Sequence, residues 1–239
     1  MGTLKDILNG FENQIKGITK EEELQKIFKD SLAPAFLYGG YIEVHKEFRV
    51  YIRTVEFYFH CEKENGIHDP IVYHRNDRCI VGEVPYFPMM SLHAHDSGFD
   101  ITFESEAGKY RASALIRAYE VIRIQDGKPL VWYTKENKFV EAERNKEGKY
   151  VVWDSKDQKK VEIHRIYNTQ STYLKKLLNG FPLGIENGIK WVDWPKVQTK
   201  DISEDTRQNV FQSESEFVYK KIAGRICDRK WSFTRKEEI

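Results

Sequence analysis

An acidic residue stands inside one of the most apolar stretches of the chain. Residues 52–59, IRTVEFYF, are rich in β-branched and aromatic types, and this predicts a strand. Side chains alternate along a strand, so Glu56 and Tyr58 share one face while Val55 and Phe57 share the other. Burying a bare carboxylate is costly. Glu56 is therefore either the partner in a structural ion pair or a catalytic acid or base.

Other residues in this sequence could act together with that carboxylate. Arg117 lies at the centre of a second apolar strand, ALIRAYEV, and needs a counter-ion, for which Glu56 and Asp100 are both suitable. His93 and His95 lie two apart on a short strand and so point the same way, as two metal ligands would. No third ligand is convincing, and we predict neither a metal nor a cofactor.

Several short motifs keep a fixed order along the chain. They are Glu56-Phe57-Tyr58, Asp69-Pro70 followed by His74, the strand around Arg117, Leu177-Leu178-Asn179-Gly180 with Pro182-Leu183-Gly184-Ile185, Arg225-Ile226, and Trp231-Ser232-Phe233. From about residue 33 to 235 this arrangement resembles the alkyladenine (3-methyladenine) DNA glycosylase family. The departures are a hairpin without the family's wedge tyrosine, where His93 lies, and Asp100 in place of an asparagine.

The resemblance implies base flipping and hydrolysis of an N-glycosidic bond. Glu56 would activate the attacking water, and Arg117 would hold the carboxylate, the water or a phosphate. The base-binding residues would be Tyr58, His74, Asp100 and His93. No cofactor is implied.

The expected fold class is α+β, with a mostly antiparallel, strongly curved central sheet and flanking helices in a single domain, as in the family it resembles. Apolar spacing predicts a helix over residues 3–16, and Thr19 with Glu22 predicts a capping box for a second helix that Pro34 ends. We divide the chain into an N-terminal helical segment, residues 1–32, and a glycosylase-like domain, residues 33–239. Two or three exposed strands near 127–162 form an insertion.

The charge balance bounds the range of partners. Lys and Arg total 38 against 37 Asp and Glu, so the basic excess typical of nucleic-acid binders is missing from the total. This charge balance is compatible with either duplex DNA or a nucleoside-like ligand as the partner. Two alternatives to a DNA glycosylase follow: a non-catalytic binding module for a nucleoside, modified nucleic acid or protein, and a small-nucleoside hydrolase.

The remaining features concern the compartment. The three cysteines have no paired spacing, and no apolar stretch approaches a membrane span. The N-terminus lacks the pattern of a secretory leader. The sequence therefore predicts a cytoplasmic monomer that does not enter a membrane.

Overall fold

The computed structural model describes most of the chain. The described residues are 2–72, 75, 84–95, 98–163, 166–169, 172–178, 188–194, 201–207 and 229–236. They form an α+β structure in which a strongly curved antiparallel sheet, a half-barrel, is accompanied by few helices. This confirms the predicted fold class at that level. Within the described residues no helix is long and apolar enough to cross a bilayer.

The helices lie mainly at the N-terminus. They are α1 Leu4–Gln14, α2 Glu21–Ile27, a π-helical turn Phe28–Leu32, α3 Ala33–Tyr38 and, much later, α4 Thr172–Leu177. Thr3 caps α1 by accepting a hydrogen bond from the Asp6 N–H, and the Asp6 carboxylate accepts one from the Thr3 N–H.

Two predictions about the second helix are wrong. Its N-cap is Lys20, which makes no side-chain cap, so Thr19 does not begin the helix. Pro34 does not end it either, because Pro34 lies in the first turn of α3, where a missing N–H is tolerated. The π-helical turn makes this possible: the Ala33 N–H bonds five residues back to the Phe28 carbonyl.

The strands account for most of the remaining described chain. They are β1 Gly40–Val44, β2 Phe48–Cys61, β3 Leu92–His95, β4 Gly98–Thr102, β5 Tyr110–Arg123, β6 Pro129–Tyr133, β7 Lys138–Arg144, β8 Tyr150–Asp154, β9 Lys159–Glu162, β10 Ile189–Asp193, β11 Ile202–Asp205 and β12 Ser232–Arg235. The main path through the sheet is β10-β1-β2-β5-β6-β7-β8-β9. In addition β12 pairs with β2, β11 with β12, β4 with β5, and β3 with β4.

The long strands β2 and β5 form the centre of the sheet and have two different faces. One face packs on the N-terminal helices: Phe57 stacks on Phe28 with ring centroids 4.7 Å apart, and both are fully buried. Leu8 and Phe11 of α1 belong to the same core cluster. The other face, which we call the polar face, carries Glu56 and its neighbours.

The ladder between β2 and β5 is interrupted at one place. Ile52 faces Tyr119 and Val55 faces Ile116, so two residues rather than one separate the core positions on each strand. The irregular residues include Arg117 on β5. Such bulges bend a strand and redirect a side chain, and this one positions the Arg117 guanidinium beside Glu56.

Candidate functional site

One row of side chains crosses five strands on the polar face. His93 is paired with Asp100, Asp100 with Leu115, Leu115 with Glu56, and Glu56 with Ser232. Directly paired residues in an antiparallel sheet point to the same side. The sheet thus places three predicted site residues in one line. With neighbouring strands about 4.8 Å apart, Asp100 and Glu56 are separated by roughly 10 Å at the backbone.

The Glu56 carboxylate is enclosed by two donors. It is fully buried, and its Oε2 accepts a 2.7 Å hydrogen bond from Arg117 Nε and a 3.0 Å bond from the Tyr58 hydroxyl. Arg117 Nη2 also lies 3.4 Å from the Tyr58 hydroxyl. Of the two counter-ions that the sequence allows for Arg117, the structure brings Glu56 into contact. The result is a closed triangle of acid, phenol and guanidinium.

Solvent reaches this triangle through two of its members. Tyr58 is partly buried and the Arg117 side chain is 13% exposed, whereas Glu56 has no exposed surface. Burial, followed by the charge of Glu56, raises the pKa of Tyr58 above its ordinary range, so the hydroxyl stays protonated and donates. Burial works to lower the pKa of Arg117, but Tyr58 and Glu56 outweigh it and the net shift is upward.

The ring of Tyr58 already has a partner. The Arg207 guanidinium carbon lies 4.8 Å from its centroid, and Arg207 is held by a buried ion pair with Asp69 at 2.6 Å. The Asp69 N–H in turn donates to His60 Nδ1 at 3.1 Å. Sequence reasoning missed Arg207, because residues 201–207 are polar and carry no pattern that connects them to β2.

Another buried arginine, with its own carboxylate partners, lies at the far end of the polar face. Arg111, which pairs with His60 across the ladder, is fully buried. Its guanidinium reaches Glu62 at 2.9 Å and Glu104 at 3.2 Å, and also bonds the carbonyls of residues 84 and 85. This arginine fixes a loop against the sheet. It was not predicted, since its sequence context does not distinguish it from an exposed arginine.

The remaining predicted residues have different outcomes. His93 stacks on Phe87, with centroids 4.2 Å apart, and is partly buried. Trp231 and Phe233 are fully buried in the core. His74 lies outside the described residues, and so do the turn at 182–185 and the pair at 225–226.

In the described part of the chain, no group of three or more His, Cys, Asp or Glu side chains converges as metal ligands would.

Comparison with known proteins gives no match to a family model, a curated protein or a solved structure. The resemblance to the alkyladenine DNA glycosylases stays a prediction, and function has to be argued from the geometry of the polar face.

Proposed function

We propose that the chain hydrolyses the N-glycosidic bond to a modified purine-like base in DNA, with Glu56 as the general base. The observation that supports this proposal is the contact of Glu56 with Arg117 and Tyr58, on the same face as Asp100. A carboxylate, a phenol and a guanidinium from three positions of two strands form one cluster, and they are residue types suited to activating water and binding a planar base.

In the proposed reaction the target base rotates out of the duplex and approaches Glu56 past Tyr58 and Arg117, the two partly buried members of the cluster. A water attacks the sugar C1′ and gives its proton to the Glu56 carboxylate. The C1′–N bond breaks, its electron pair leaves with the base, and the carboxylate stabilises positive charge on the sugar during this step. Arg117 balances the charge of the buried carboxylate before substrate arrives.

The test compares base release by the wild type and by Glu56→Gln. Duplexes that contain one alkylated or deaminated purine are incubated with each protein, and abasic sites are detected by cleavage in alkali. Loss of general-base catalysis typically reduces the rate by about 10²–10⁴-fold. Glu120→Gln is the control, because Glu120 is another carboxylate of the polar face that is paired with an arginine, Arg53, although it is partly rather than fully buried. It should retain activity.

Absence of base release by the wild type at every salt concentration would remove the proposal. Equal rates for the wild type and Glu56→Gln would remove the role of Glu56. A parallel reaction with free nucleosides distinguishes a small-nucleoside hydrolase from a DNA glycosylase. The position of Asp100 in the same row as Glu56 supports the hydrolase as an alternative.

A non-catalytic binding module is the second candidate, and one observation favours it. Glu56 is fully buried and contacts Arg117 at 2.7 Å, which is also the geometry of a structural ion pair. Such a module would bind its ligand at the exposed edge formed by Tyr58 and Arg117. Binding of labelled DNA, followed by anisotropy from low to moderate salt, discriminates the ligands: a steep loss of affinity indicates phosphate contacts, whereas a flat response indicates a small molecule or a protein.

A further inference from the structure

A cavity lies on the side of β2 opposite to Glu56. Its volume is about 490 Å³, and its walls come from the end of α1 and the following loop, from residues 61–67 and from residues 107–110. Phe59 and Cys61 line it, and their side chains alternate with those of Tyr58 and His60 on the polar face. The cavity is therefore separate from the candidate site described above.

The floor of this cavity is apolar. It consists of Leu24, Phe59, Ile67 and Tyr110, none of which is more than 5% exposed. Tyr110 brings no charge, because burial, followed by the charges of Glu12 and Glu104, raises the pKa of its phenol above the ordinary range. A floor without charge favours an apolar molecular body over water.

Charges occur only at the mouth, and they cancel. Lys16 and Lys63 are exposed there, as are Glu12 and Glu64. Two cations and two carboxylates give no preference for an anion or a cation. The volume falls in the range of small-molecule sites, roughly 300–1,000 Å³, which are mostly apolar with a few polar groups.

We propose that this cavity binds a small, uncharged ligand with an apolar body. The proposal does not depend on the activity at Glu56. A second cavity, about 390 Å³ beside β7 and β8, differs in kind: half of its lining residues are charged, and it includes Trp153, which is 54% exposed. That surface supplies a control.

The test uses Nile red, an uncharged apolar dye, and the Cys61 thiol as a reporter. In a Cys79→Ser/Cys227→Ser background, Cys61 is the one remaining cysteine of the three in the sequence. We expect saturable binding at one dye per chain. The rate at which N-ethylmaleimide alkylates Cys61 should be proportional to the fraction of chains without bound dye. Dye at about ten times its Kd should therefore slow the reaction about tenfold.

Variants locate the bound dye. Ile18→Trp and Ala107→Trp each add an indole to the lining of the cavity, at two separate segments of the chain, and each should abolish binding; if one of them fails to fold, the other decides. Asn9→Trp adds the same side chain at an exposed position of α1 and should bind normally. Trp153→Lys should also bind normally. The proposal is overturned if the dye shows no saturable binding, or if it leaves the alkylation rate of Cys61 unchanged. It is also overturned if Trp153→Lys loses binding while Ile18→Trp and Ala107→Trp keep it.

Discussion

Removal of Arg117 should destabilise the protein much more than removal of its partner Glu56. Arg117→Met removes the guanidinium from beside a Glu56 carboxylate that has no exposed surface. Breaking a buried pair in this way costs about 3–5 kcal/mol. Glu56→Gln leaves the Arg117 side chain, which is 13% exposed and can turn toward solvent, so the cost is about 1–3 kcal/mol, that of a lost buried hydrogen bond.

The double variant completes the cycle. In Glu56→Gln/Arg117→Met both charges of the pair are removed, and the loss should be smaller than the sum of the single losses. Urea unfolding at neutral pH, followed by circular dichroism, gives the free energies of unfolding. Domains have about 5–15 kcal/mol in total, so the Arg117→Met effect is large on that scale. Arg123→Met, which breaks the solvent-accessible pairs with Asp126 and Glu141, should have a far smaller effect.

Two outcomes would refute this reasoning. If Arg117→Met and Arg123→Met shift the urea midpoint equally, the carboxylate is not desolvated as the structure shows. If the single losses add up in the double variant, Glu56 and Arg117 do not interact in solution.

Two further predictions concern pH and packing. Burial raises the pKa of Tyr58 and of Tyr119, so their neutral forms stabilise the folded state fully below the ordinary tyrosine value of about 10, and this stabilisation is lost as the pH rises above it. Tyrosinate absorbance should therefore show a fraction that appears only together with loss of the circular dichroism signal, and simple titration of all tyrosines before unfolding would contradict this. Gly66→Ala should destabilise by about 1–3 kcal/mol, because its Cβ would lie 2.4 Å from the Cys61 side chain. Gly10→Ala, in helix α1 with 3.8 Å of clearance, should instead stabilise by about 0.5–1 kcal/mol in the same urea assay, and the same sign for both would refute the packing argument.

Local patterns were sufficient for the parts of the fold that depend on alternation. The two-residue period in IRTVEFYF correctly separates Phe57, which is in the hydrophobic core, from Glu56, which is buried on the polar face. The hairpin expected around His93 is present as the β3–β4 pair, which puts His93 opposite Asp100. Each of these results follows from one short-range rule, the direction of successive side chains on a strand.

Other features depend on contacts that are distant in sequence. A proline normally ends a helix, but Pro34 continues one, because a π-helical turn that has no sequence signature precedes it. The pairing of Arg207 with Asp69 joins residues 138 positions apart and determines what covers the Tyr58 ring. The segment near 127–162 contains four strands rather than the two or three expected, since polar turns obscure its strand boundaries.

The shared irregularity in β2 and β5 also constrains how this gene can change. Both strands alter their in–out phase at the same level, between Ile52 and Val55 on one and between Ile116 and Tyr119 on the other. A codon lost from only one of these intervals would set one residue of that strand against two of its partner, which is the arrangement of an ordinary β-bulge, and both flanks would keep their core-facing side chains. Losses in both intervals together would restore a simple alternation and remove the irregularity that positions Arg117 beside Glu56, so length variation here alters the candidate site before it alters the core.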